Sequence, residues 1–439
     1  MKIAMVGCGY VSDHYMETLA AHPELELLGV ADRDMERARS LAGCYGVKAY
    51  ASTQEALADP AVELIVNLTD PRGHYEVSRA SLLAGKHVYS EKPLAVRFSE
   101  ARELVDLAKR QGLLISSAPC SALGGTAQTL WRAVLDGAVG RVRLVYAELD
   151  DNPVYLMRPE GWTNARGIPW PYLNEYENGC TLEHAGYYLT WLCAMFGPAE
   201  SVTGFSACLV PDKTPLPLDP PDTPDFSAAC IVFRSGVVAR LTCSIVAPYD
   251  HRIRIIGTEG VLSADECWNY SAPVHLERFS QVSLNARRAR STRASSALQS
   301  LFGVGGRRLD LVGELPPRCQ VQLRTIARPR RSLARKLIGA VKRRERIWMD
   351  FLRGVAEMAA AVEAGRDCLL SPDFVLHVNE ITLAMQNAGS AGSPYRLTTR
   401  FEPRMPMAAT LQAERDYGRG QGGLFLSIVE DLIARLHRH

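Results

Sequence analysis

The residues whose types and spacing suggest chemistry begin at the seventh position. Gly7-Cys8-Gly9 follows the apolar run Lys2–Val6, and Tyr10, Val11 and Ser12 open a segment rich in helix formers. A strand, a glycine turn and a helix in that order form a phosphate cradle: the first glycine allows the tight turn, the second lets backbone approach a diphosphate, and a small third residue, here Ser12, allows helix and strand to pack closely. Asp32 closes the next apolar run, where its carboxylate is placed to accept ribose hydroxyls and to repel a 2′-phosphate, favouring NAD. Arg33 beside it leaves NADP open. Farther on, Trp162-Thr163-Asn164 and Trp170 lie in an aromatic and polar loop suited to the C–H faces of a carbohydrate, or simply to packing on itself. The 11 cysteines never fall into a CxxC spacing, so the pattern implies neither a disulfide framework nor a metal site. A reducing, cytoplasmic setting is the expectation.

These residues need a frame. Apolar runs at Leu25–Ala31, Val62–Leu68, His87–Ser90 and Leu113–Ser116 alternate with helical segments at Met35–Tyr45, Tyr75–Ala84 and Ser99–Gln111. That alternation predicts an α/β, Rossmann-type domain with a parallel sheet over residues 1–120. From Arg141 the texture turns β-rich, with runs at 142–148, 201–209, 227–233, 237–246 and 252–257, interrupted by a helix from Thr181 to Phe196. The expectation for residues 121–402 is a second α/β domain built on a large, open, mostly antiparallel sheet, carrying substrate and subunit contacts in a homo-oligomer. A net charge of +2 and no apolar stretch near 18 residues argue against nucleic acid and against a membrane span.

At Glu91-Lys92-Pro93 the sequence resembles the Gfo/Idh/MocA family of oxidoreductases. Asn67-Leu68-Thr69 with His74, the run Ala84–Val88, the turn Gly257–Gly260 and the segment Asp373–Glu380 agree with it. The resemblance implies hydride transfer between NAD(P) and a sugar, cyclitol or nucleotide-linked sugar. It places Asn67, His74, Glu91 and Lys92 on the nicotinamide side of the cofactor. Lys92 then becomes the acid or base, and a lysine desolvated beside a cationic ring is expected to titrate lower than usual.

The family also carries an acid and a histidine four residues apart on one helix, with a glycine between. Setting the register by Gly186 puts His184 at the acid position and Tyr188 at the histidine position, so both join Lys92 as catalytic candidates. A register one residue earlier pairs Glu183 with Tyr187, which stand as substrate contacts beside Trp162 and Trp170. Two other functions remain open: NAD-dependent elimination or hydrolysis of a glycoside through transient oxidation, and dinucleotide binding without catalysis.

Two segments lie outside this scheme. Residues 287–346 hold 17 Lys/Arg against three acids, and Arg335 to Trp348 combine that charge with an apolar stripe. The basic insertion, about 286–346, is expected to be a solvated excursion, with contact to a membrane surface or carrier-linked substrate as the functional reading. Residues 403–439 form an extension whose apolar positions from Phe425 to Leu436 fit an amphipathic helix.

Overall fold

Short apolar runs with both faces covered make a parallel sheet, and six of them do so here. The computed structural model describes residues 1–312, 349–388, 394–413 and 417. Strands β1 (Lys2–Val6), β2 (Glu26–Ala31), β3 (Lys48–Ala49), β4 (Leu64–Asn67), β5 (His87–Ser90) and β6 (Ile115–Ser117) form one all-parallel sheet in the order β3-β2-β1-β4-β5-β6. The chain order reverses beside β1, and the glycine turn follows that strand. In open parallel sheets this switch point is where ligands bind.

The helix Phe98–Gln111 illustrates the covering. Ala101, Leu104, Val105 and Ala108 recur at helical spacing and are buried against the sheet, while Lys109 and Arg110 stand in the last turn, where they oppose the helix dipole. Each fully buried leucine or valine of this face contributes about 1.5–3 kcal/mol of transfer energy.

The second sheet runs β14-β13-β12-β11-β7-β10-β9-β8-β15. Its strands are β7 (Val142–Asp150), β8 (Ala199–Ala207), β9 (Phe226–Phe233), β10 (Val238–Ser244), β11 (Ile253–Gly257), β12 (Gly260–Ala264), β13 (Val274–Arg278), β14 (Arg307–Leu309) and β15 (Tyr395–Arg396). Every pairing is antiparallel except β7 with β10. The fold is therefore a Rossmann-like parallel domain followed by a large mixed, mostly antiparallel sheet, the architecture expected from the sequence.

Several details differ from the sequence reading. The helix Gly125–Leu135 and strands β12 to β14 are additional. The start of the basic segment is not a free excursion: the helix Gln281–Arg288 leads to edge strand β14, and Arg287 pairs with Glu277 of β13. The basic stripe from Arg335 to Trp348 and the apolar stripe from Phe425 to Leu436 lie outside the described residues. Among the described residues no helix is long and apolar enough to cross a membrane.

The chain returns to the first sheet near its end. Leu352, Val355 and Met358, in and just before the helix Arg353–Glu363, join the core of β1 and β2, while the helix Pro372–Gln386 packs against both Phe98–Gln111 and Gly186–Phe196. His22 ties this return down, with Nε2 2.9 Å from Asp350 and Nδ1 3.0 Å from Glu24. Burial opposes a charge on this imidazole, but the Asp350 and Glu24 carboxylates outweigh it and raise its pKa above the ordinary value. Because the folded pKa is the higher, the stabilisation is complete below about pH 6.5 and disappears as pH rises through the folded value. Denaturant midpoints of wild type and His22→Gln should therefore differ most near pH 6 and converge by pH 9.

Candidate active site

The glycine turn is built by contact. Gly7 has φ +105°, and a Cβ there would lie 2.4 Å from the Leu68 carbonyl oxygen, so only glycine lets β1 end against β4. Beside Gly9 the space is open, with no heavy atom within 4 Å of a would-be Cβ. Ser12 Oγ donates to the Gly9 carbonyl at 2.7 Å. Asp32 accepts from the Cys8 N–H at 2.7 Å and the Asp34 N–H at 2.8 Å, which fixes its carboxylate at the mouth of the turn, with Arg33 exposed next to it. Tyr10 is half-buried and meets His14 edge to face.

A hairpin from the second domain reaches this turn. Thr163 and Pro169 form a bridge, and Trp162 and Trp170 rest on each other with centroids 4.9 Å apart. At the tip, Asn164 Nδ2 donates to the Tyr10 carbonyl. The Arg166 side chain, 2% exposed, donates to the Cys8 and Gly9 carbonyls and to Ser12 Oγ and pairs with Asp13, while its Nη1 is buried without an acceptor. An unpaired guanidinium nitrogen beside an open glycine backbone fits the anionic diphosphate of a dinucleotide. Arg166 was not among the residues singled out from sequence: a lone arginine in a loop carries no local signal, and its partners lie more than 150 residues away.

Three of the expected cofactor contacts brace the loops around Lys92. Asn67 Nδ2 donates to the His74 carbonyl and Ser78 Oγ, each at 3.0 Å, and its Oδ1 accepts from Thr69. The His74 ring nitrogens face the carbonyls of Pro93 at 2.7 Å and Thr69 at 2.9 Å. Glu91 accepts from the Tyr15 hydroxyl at 2.7 Å and the Lys92 N–H at 3.1 Å. With their polar atoms committed to protein groups, these side chains set the path of the Lys92–Pro93 segment, whose peptide bond is cis.

Lys92 Nζ pairs with the Glu183 carboxylate, which also accepts from Asn178 Nδ2 at 3.2 Å. Burial pushes the ammonium downward, yet Glu183, with Tyr187, Glu91 and Glu175 behind it, reverses that and holds the Lys92 pKa above its ordinary value. The expected lowering belongs to a lysine beside a cationic ring; in the protein by itself the neighbouring carboxylate outweighs desolvation.

The register set by Gly186 is not the one that meets Lys92. Tyr188 is fully buried and its hydroxyl donates to the His251 carbonyl, on the side facing the second sheet. Glu183 and Tyr187, four apart, share the face toward Lys92. Two features explain this. Gly186 is needed where the helix presses on Pro119, whose Cδ lies 3.0 Å from a would-be Cβ. The expected single helix is also two, Cys180–His184 and Gly186–Phe196, entered through Gly179 at φ +92°. His184 borders the same space: its Nε2 is 3.5 Å from Glu175 Oε1, and its Nδ1 has no hydrogen-bond partner. Burial, then the charges of Lys92 and His251, hold its pKa well below the ordinary value. Burial, with Glu183 adding to it, raises Glu175 well above the carboxylate range.

Among the described residues the group close enough to hold a metal ion is His251, Glu266 and Cys267. Glu266 is already committed to His251 Nδ1, the Tyr249 hydroxyl and the Trp268 N–H.

A dinucleotide cradle at a switch point, with a buried lysine at the same sheet edge paired to a carboxylate from the next domain, defines a two-domain nicotinamide-dependent oxidoreductase. Residues 1–118 match the model of the oxidoreductase family with an NAD-binding Rossmann fold, Gfo/Idh/MocA, and residues 127–263 match its C-terminal domain, so the chain belongs to this family. The trans-1,2-dihydrobenzene-1,2-diol dehydrogenase of Bos taurus is 28% identical over 273 residues, spanning 61% of this chain and 76% of that protein. The aldose-aldose oxidoreductase of Caulobacter crescentus, complexed with glycerol, has a similar fold, with TM-score 0.66 and 16% identity over 90% of this chain and 99% of that one. So does the WlbA dehydrogenase of Bordetella pertussis, in complex with NADH and UDP-GlcNAcA, with TM-score 0.62 and 16% identity over 90% and 97%.

Glu183→Gln removes the largest influence opposing desolvation, so the lysine titrates lower. At pH 8 an amine-specific reagent, followed by peptide mass spectrometry, should label Lys92 about tenfold faster in that variant than in wild type.

Proposed function

We propose that this protein transfers hydride between NAD and a carbinol carbon of a sugar-like polyol, with Lys92 moving the hydroxyl proton. The observation that carries the reading is the Lys92–Glu183 pair at the carboxyl edge of the same parallel sheet that ends in the cradle of Gly7, Gly9 and Asp32. Asp32, fixed by two backbone N–H groups, is placed for the adenosine ribose and favours NAD, and Arg166, anchored on the Cys8 carbonyl, would hold the diphosphate. The nicotinamide, when bound, supplies or accepts the hydride. A raised pKa keeps Lys92 an ammonium at neutral pH, so it stands ready to donate a proton to a carbonyl oxygen becoming a hydroxyl. In the oxidative direction Lys92 first gives up a proton to solvent and the neutral amine then takes the hydroxyl proton, with Glu183 orienting it throughout. Tyr187 and His184 line the substrate side. The relatives support the substrate class: one is named for a vicinal diol, others for an aldose and a nucleotide sugar.

Lys92→Met should lower kcat at least about 10³-fold in NADH-linked turnover of a polyol while leaving NADH binding unchanged. Full activity in that variant would remove Lys92 from the mechanism. Arg166→Leu should weaken NADH, measured by fluorescence titration, roughly tenfold or more, the loss expected for a charge-assisted contact.

A further inference from the structure

The wall beside Lys92 holds polar atoms that neither hydride transfer nor dinucleotide binding uses. Glu175, on the helix Tyr172–Asn178, and His184, on the next helix, each have side chains 8% exposed. Glu175 Oε1 and His184 Nδ1 have no hydrogen-bond partner, and the facing atoms Oε1 and Nε2 are 3.5 Å apart without forming a hydrogen bond of their own. Trp268 meets both His184 and Tyr187 edge to face at 5.7 Å, and its Nε1 is likewise buried without an acceptor. The carboxyl of Glu175 lies within electrostatic reach of Lys92, which places these groups beside the reacting nitrogen.

The two polar atoms are 3.5 Å apart, so one oxygen admitted about 2.8 Å from each would satisfy both. An oxygen that can both accept and donate suits the pair whichever of the two carries the donor proton. A hydroxyl does so. A carbonyl oxygen can only accept, and an aliphatic carbon does neither.

We infer that Glu175 and His184 form a subsite for a second hydroxyl of a polyol whose first hydroxyl lies at Lys92, with Trp268 and Tyr187 walling the subsite. The inference rests on the hydride-transfer reading in taking the occupant to be the substrate. It adds a specificity device: a site built to hydrogen-bond a hydroxyl leaves buried polar groups unpaired when an analogue lacks it, and so rejects that analogue.

The test titrates D-glucose and its monodeoxy analogues into the NADH complex by calorimetry, with NADH formation from NAD followed separately at 340 nm. In wild type at least one deoxy analogue should bind roughly tenfold more weakly than glucose. In Glu175→Leu, and again in His184→Phe, that gap should fall below about threefold because glucose loses affinity and the analogue does not. Glu175→Gln, which keeps a hydrogen-bonding oxygen, should retain most of the gap with an unchanged melting temperature. Equal binding of glucose and every analogue by wild type, no measurable glucose binding, or a gap that survives Glu175→Leu would each overturn the subsite and leave the pair bridging water only. The expected binding pattern without NADH formation keeps the subsite and overturns hydride transfer; NADH formation without a deoxy gap does the reverse.

Discussion

The contact between Lys92 and Glu183 joins the two halves of the molecule at the point where each ends its work. Lys92 follows the fifth strand of the parallel sheet, and Glu183 sits on a helix behind the second sheet. A buried ion pair is a poor source of stability, since removing two charges from water costs as much as their attraction returns. Its placement therefore calls for another reason, and the surroundings supply one. His74 holds the Pro93 carbonyl, Tyr15 holds Glu91, and Asn178 holds Glu183. A charge pair braced from three sides is the arrangement that keeps a proton-carrying nitrogen in one place.

The same chain segment performs a second task. Residues 162–187 carry Arg166 into the glycine turn and, some 20 residues later, Glu183 onto Lys92. Closure over the cofactor cradle and alignment of the lysine thus depend on one stretch anchored between the domains. The aromatic residues in it, Trp162 and Trp170, brace the hairpin by resting on each other, and the inward guanidinium is the group that reaches the cradle.

What could be read in the sequence was local. β1 at Lys2–Val6 and the helix Met35–Tyr45 have the bounds that apolar runs and caps mark, because hydrophobic period and a turn residue are properties of neighbours along the chain. Strands β12 to β14 were missed because each spans only three to five residues, too short a run to show a period. The site divides in the same way. Gly7, Gly9, Asp32 and Lys92 carry their meaning in spacing. Asn67, His74 and Glu91 also stood out, but only their hydrogen-bond partners show that they brace the loops. The choice between Glu183 and His184 turned on Gly186, and that glycine answers to Pro119, a contact across 67 positions of sequence.

Electrostatics then explains how four ionisable groups share one small volume. A low-dielectric space tolerates a close pair of opposite charges far better than isolated ones. Lys92 is held as an ammonium by the carboxylate against it, and the charges of that pair fall on the neighbours. Glu183 repels a charge on Glu175, and Lys92 repels a charge on His184, each adding to the effect of burial. The outcome is that a charge is favoured on the lysine and disfavoured on Glu175 and His184, which sorts a proton carrier from two hydrogen-bonding side chains. Environments that push titrations apart in this way are how one cavity comes to hold both a reacting group and a recognising one.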